Sequence, residues 1–204
     1  MSDAVIWSLV ISALAVVAVR RRSVAIALVA AQSVVLGASA ITDAAGESTA
    51  LAVAGAALLA KAVVLPMLLL SVVTRTRETR WIAERHPLAR LTTALAVTLA
   101  LVALVPRFGL ESAAAEHASV GLLALGITTA VVRGAAIFAA LGFLVAENGL
   151  YLAALAAPGG VPAFIELGLV FDLVVIVSVA GAFSAKIHEE LGTGDTTLLG
   201  GLRD

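Results

Sequence analysis

The sequence predicts an all-α polytopic transmembrane bundle of about seven spans. Three observations carry that reading. The 204 residues are 61% hydrophobic and 13% charged, with a mean hydropathy of +1.10, far too apolar for a soluble domain. The apolar runs are continuous and do not alternate with period two, which excludes a β-barrel. The arginines collect in alternate connections, the pattern of the positive-inside rule.

The spans are read at residues 4–19, 24–41, 49–74, 91–105, 118–132, 134–157 and 161–185. The first is expected to stay in the mature protein, because MSDAVIW has no basic leader and Asp3 carries the opposite charge. The third contains Lys61 and Pro66. The fourth and fifth are short for a core of roughly 30 Å, so they either tilt less or extend into their flanks. The sixth is about 24 residues, enough to cross at 1.5 Å per residue. It holds Glu147 and Asn148 in GFLVAENGLY.

Arg20, Arg21 and Arg22, then Arg75, Arg77, Arg80, Arg85 and Arg90, then Arg133, and finally Lys186 and Arg203 share one side of a seven-span arrangement. The other side carries Arg107 with Asp3, Asp43, Glu47, Glu111 and Glu116. The N-terminus is therefore expected outside and the C-terminus in the cytoplasm. Six spans would break this segregation. The arginines of the 75–90 loop bind lipid phosphates in the plain reading and dock a peripheral partner in the sharper one. Trp81 reads as an interfacial anchor. No internal repeat is present, and the chain reads as one integral membrane domain, 1–204.

Several function classes are excluded. A net charge of −1 argues against a nucleic-acid partner. Without cysteine there is no disulfide, iron–sulfur cluster or thiolate metal site. His86, His117 and His188 each fall in a loop or tail, so no haem or metal site is expected in the membrane, and no cofactor in this chain. There is no phosphate loop, no HExxH and no convergent Ser–His–Asp set. Gln32, Ser33, Thr128 and Thr129 read as interhelical hydrogen-bonding residues, and the scattered glycines as points of close helix approach.

Four ionisable residues remain inside spans: Lys61, Glu147, Glu166 and Asp172. Lys61, Glu147 and Asp172 are each central in their spans, so three helices bring charge to one depth. Glu166 lies about 9 Å nearer the outside on another face. A charge at that depth costs about 3 kcal/mol on insertion scales, offset by a partner, a water-filled cavity or a proton. Pro66 removes the N–H that would bond the Ala62 carbonyl, and the kink is expected to open a polar pocket beside Lys61. Two readings stand: Lys61 pairs with one carboxylate and pins the bundle, or Lys61, Glu147 and Asp172 form a proton relay. One lysine against three acids leaves at least one acid protonated at rest. The turn 158–160 sets the sixth and seventh spans side by side, so Glu147 and Asp172 would share about one proton.

AQSVVLGAS (31–39), LLAKAVVLPMLL (58–69), GFLVAENG (142–149), IELGLVFDLVVIVSV (165–179) and GTGDTTLLGGLRD (192–204) occur in that order. With these segments the chain resembles the hydrogenase-4 component E family, membrane subunits of energy-converting [NiFe]-hydrogenase and formate hydrogenlyase complexes, over nearly its whole length. Its last three spans, 118–185, are similar to the small K subunit of respiratory complex I and its antiporter counterpart. That subunit carries a membrane glutamate on each of two successive helices. Glu147 matches the first; Asp172, one methylene shorter, matches the second, with Glu166 the other choice. Residues 1–106 look like an addition of the hydrogenase branch, and 186–204 like a cytoplasmic tail.

The resemblance implies a subunit that is not an enzyme on its own, in a bacterial or archaeal cell membrane. Its expected partners are antiporter-like membrane subunits, a membrane anchor subunit, peripheral nickel–iron and iron–sulfur subunits, and lipid. The expected role is in the proton-translocating arm, with Glu147, Asp172, Lys61 and Glu166 as relay residues and Asn148, Pro66 and Arg133 in support. A purely structural anchor and a subunit of a redox-independent cation antiporter are the alternatives.

Overall fold

The structure, a computed structural model, describes residues 1–43, 49–75, 87–107, 109–110, 112–133, 135–157 and 181. The described elements are six helices: α1 (Asp3–Ala18), α2 (Arg22–Asp43), α3 (Thr49–Arg75), α4 (Pro87–Leu104), α5 (Ala113–Val132) and α6 (Ala136–Leu155). Among the described residues, three segments are able by length and composition to cross a membrane: Arg22–Asp43, Ala113–Val132 and Ile137–Leu155. Shorter apolar helices run over Asp3–Ala18, Leu58–Ser71 and Leu88–Leu104. All of the seventh expected span but residue 181, including Glu166 and Asp172, lies outside the described residues, as does most of the arginine loop.

Two helices begin earlier than their hydropathy suggests. α4 starts at Pro87, where the missing N–H costs nothing and the fixed φ suits a first turn. α5 starts at Ala113 because Ser112 caps it, its hydroxyl accepting from the Ala115 N–H at 3.4 Å. Gly109, at φ 84°, turns the chain between them. The early start corrects two expectations. Glu116 and His117 are not loop residues but belong to the first turns of α5, where Glu116 is buried.

α1, α2, α5 and α6 form the centre of the bundle, with α3 applied to α2, and α4 applied to α5 and α1. The short connections after α1 and α5 make α1/α2 and α5/α6 antiparallel neighbours. On α2 the buried positions are Arg22, Ala25, Ile26, Val29, Gln32, Ser33, Leu36, Gly37 and Ala40. That spacing of three and four is one helix face, and its middle is polar. The outward faces are apolar too: Val63, Val64 and Met67 on α3 and Leu88, Leu99 and Leu104 on α4 are exposed. Such a surface suits hydrocarbon and not water.

α5 and α6 make the most extensive contact in the bundle. It is closed by Gly126 and Gly142, where a side chain has no room. A Cβ on Gly142 would stand 2.5 Å from the Gly126 carbonyl oxygen and 2.6 Å from the Ala130 nitrogen. Backbones that close need glycine on both sides, since only small residues allow the approach.

Candidate polar centre between three helices

Lys61 lies near the middle of α3 and Glu147 near the middle of α6. The Lys61 ammonium donates to Glu147 Oε2 at 2.7 Å. Both are enclosed, Lys61 at 3% and Glu147 at 6% relative exposure. The Lys61 nitrogen also stands 4.8 Å from the centre of the Tyr151 ring, within the range of a cation–π contact. Glu147 Oε1 is buried without a hydrogen-bond partner among the described residues. The pair therefore engages only one of the carboxylate's two oxygens.

Asn148, at 0% exposure, turns to α2. Its Nδ2 donates to Gln32 Oε1 at 3.2 Å, and its Oδ1 accepts from the Ser33 hydroxyl at 3.2 Å. Gln32 extends the chain to α1, donating from Nε2 to the Leu9 carbonyl at 2.9 Å and to Ser12 Oγ at 2.8 Å. Glu147 and Asn148 are consecutive, about 100° apart around α6, so one ties α6 to α3 and the other ties it to α2 and α1. Gly149 follows at once. A Cβ there would meet the Ser119 carbonyl oxygen at 2.7 Å, so α5 closes the remaining side. The triplet Glu–Asn–Gly serves three neighbours with three residues.

A pocket does lie beside Pro66, but it is mainly aliphatic and not the polar one expected. A cavity of about 10 Å³ lies between α2, α3 and α6, lined by Val29, Ser33, Lys61, Ala62, Pro66 and Leu144 among others. Lys61 and Ser33 are the polar side chains of its lining. Leu65 and Leu69, further along the wall, lie on the α3 half that leads to Arg75.

Arg133 does not act at this centre. Its side chain is buried, donating from Nη1 to the Val17 carbonyl at 2.9 Å and from Nη2 to the Val19 carbonyl at 3.0 Å. The guanidinium carbon lies 3.5 Å from the centre of the Phe138 ring. It ties up the carbonyls at the end of α1, groups that every helix leaves without an internal partner. Its support is to the fold. Thr129 departs from its expected role as well: its hydroxyl bonds the Leu125 carbonyl in its own helix at 2.6 Å. Gln32 and Ser33 do bridge helices.

Tyr151 is the residue that reading the sequence missed. Its signal was available, since it stands four positions after Glu147 and so on the same face of α6. Glu166 and Asp172 lie outside the described residues. Among the described residues no group of three or more His, Cys, Asp or Glu is placed to hold a metal ion.

Uncharacterized protein Rv0085 of Mycobacterium tuberculosis is 35% identical to this chain over 112 residues. The match covers 55% of this chain and 50% of that protein, so the chain spans about half the length of the curated relative it matches. No family model matches the sequence, and no solved structure matches it.

Proposed function

We propose that the chain is a non-catalytic integral membrane subunit of a [NiFe]-hydrogenase-type complex resembling formate hydrogenlyase, and that it contributes to the proton-translocating arm. The observation that carries the proton role is the enclosed Lys61–Glu147 pair, with one carboxylate oxygen left without a partner. A pin between helices needs attraction alone. A carboxylate with an open oxygen can also take a proton and release the lysine, which a relay requires. Asp172, with Glu166 as the other choice, is the next proton site after Glu147 in this reading. The hydrogenase context rests on the order of the five sequence segments. The partners are antiporter-like and anchor subunits in the membrane, with nickel–iron and iron–sulfur subunits at its surface.

The chain crosses the membrane about seven times in this reading, N-terminus outside. Reporter fusions after Arg22, Ala45, Glu78 and Glu111 then read inside, outside, inside, outside. A cytoplasmic signal at both Ala45 and Glu111 overturns this topology.

The decisive experiment is Glu147→Gln in the assembled complex, reconstituted in vesicles. The variant keeps shape and hydrogen bonding but cannot titrate. It is expected to reduce an artificial acceptor normally while proton movement is lost or sharply reduced. Pumping at the normal proton-to-electron ratio removes the relay, and the structural anchor takes its place.

A further inference from the structure

The Lys61 ammonium has three N–H donors. One goes to Glu147 Oε2 at 2.7 Å. A second direction is taken by the Tyr151 ring face, 4.8 Å away. The third requires an acceptor, and Lys61 lines the cavity between α2, α3 and α6.

The same cavity is lined by Ser33, Ala62 and Pro66. Pro66 stands inside α3 without an N–H, so the carbonyl of Ala62, four positions earlier, loses its ordinary α-helical donor. The Ser33 hydroxyl spends its hydrogen on α2's own Val29 carbonyl at 3.3 Å or on Asn148 Oδ1 at 3.2 Å. Its oxygen lone pairs remain able to accept. One donor and two acceptors thus belong to residues around a space of about 10 Å³, which is about the smallest that admits one water. The rest of the wall is aliphatic, including Val29, Leu65 and Leu144.

We propose that this cavity is a binding site for a single water molecule, which accepts from Lys61 Nζ and donates to Ser33 Oγ and the Ala62 carbonyl. Three bonds are the usual complement of a buried water. The water gives Lys61 a neutral partner on the side away from Glu147. When Glu147 is neutralised by a proton, the ammonium keeps an acceptor and stays in place. The proline is then a means of making a carbonyl available to solvent in mid-helix, and the kink is secondary. This inference extends the relay reading, but the site itself is a matter of geometry and is tested apart from pumping.

The test is a density map of the protein in lipid nanodiscs, in its complex, at a resolution where ordered waters are visible. The expected result is one peak within about 3 Å of all three groups. Pro66→Ala restores the N–H to Ala62, and Ser33→Ala removes the hydroxyl; each is expected to weaken or remove the peak. Ala30→Leu, which adds bulk to the cavity wall, is expected to abolish it. No peak in the wild-type map, acyl-chain density in the cavity, or a peak unchanged in all three variants overturns the proposal. If the peak is present and Glu147→Gln still pumps, the relay fails and the water site stands. If Glu147→Gln stops pumping and no peak is found, the water site alone fails.

Discussion

Lys61 Nζ and Glu147 Oε2 meet at 2.7 Å from helices 86 residues apart in sequence, and neither α2 nor α5 separates them. α3 packs mainly on α2, while α6 packs on α5 and α2. The side-chain pair therefore spans a part of the bundle where the two backbones do not press together. That makes it a coupling that mutation can isolate.

Lys61→Met is expected to destabilise the folded bundle by about 3–5 kcal/mol, because it strands a buried carboxylate. Lys61→Met combined with Glu147→Leu is expected to recover most of that loss, since both charges are then gone. Unfolding titrations of the purified protein in mixed micelles give all four corners of the cycle. Additive losses in the double variant would mean the two residues are not coupled.

Asn148 joins α6 to Ser33 and Gln32, and through Gln32 to α1. Asn148→Leu leaves the Gln32 oxygen without this donor. The expected cost is about 0.6–2 kcal/mol, the range of interhelical polar contacts in membranes. Gln32→Leu should cost a similar amount and, paired with Asn148→Leu, less than the sum. Equal and independent losses would count against a connected chain of bonds.

The glycine contacts separate two kinds of position. Gly142→Ala puts a methyl group against the Gly126 carbonyl and Ala130, and overpacking of this kind costs about 1–3 kcal/mol. Gly121→Ala meets only a Thr98 methyl group at 3.7 Å, an ordinary contact, and is expected to leave stability unchanged within about 0.5 kcal/mol. Thermal unfolding of both variants in one detergent decides the matter. Similar midpoints would refute the close α5–α6 approach.

Arg133 bonds two carbonyls, those of Val17 and Val19, with two nitrogens of one planar group. Arg133→Leu is expected to speed amide exchange over the last turn of α1. Arg133→Lys is expected to restore little, because a single ammonium cannot reproduce the fork or the stacking on Phe138. Exchange rates in α1 equal to wild type in both variants would show that the contact does not hold that end.

Much of this was legible beforehand. Apolar runs long enough to be helices located all six described elements, and the shortage of alternatives in a 61% hydrophobic chain made Lys61 and Glu147 stand out. Pro66 pointed to a pocket beside Lys61, because a missing N–H is a chemical fact independent of the fold, but not to its mainly aliphatic lining. The ends of α4 and α5 were not legible from hydropathy, since Pro87 and Ser112 act through backbone geometry. Arg133 was read by its side of the membrane, and charge counting cannot show that a guanidinium folds back under a neighbouring helix. Tyr151 escaped because an aromatic residue in an apolar helix looks like ordinary packing.

The separation of Lys61 from Glu147 along the chain also sets an order of events during synthesis. A ribosome adding about 5–20 residues per second delivers Glu147 roughly 4–17 s after Lys61. In the proposed seven-span topology, α3 through that interval carries a lysine at its centre with its carboxylate not yet made, at an insertion cost of about 3 kcal/mol. The hydrophobicity of its 27 residues must hold it against that cost. If α3 is a span, as the proposed topology has it, it enters the bilayer as a loosely committed helix, and the arrival of α6 fastens it. A nascent chain stopped before residue 147 should leave α3 easier to extract from the membrane than one stopped after it.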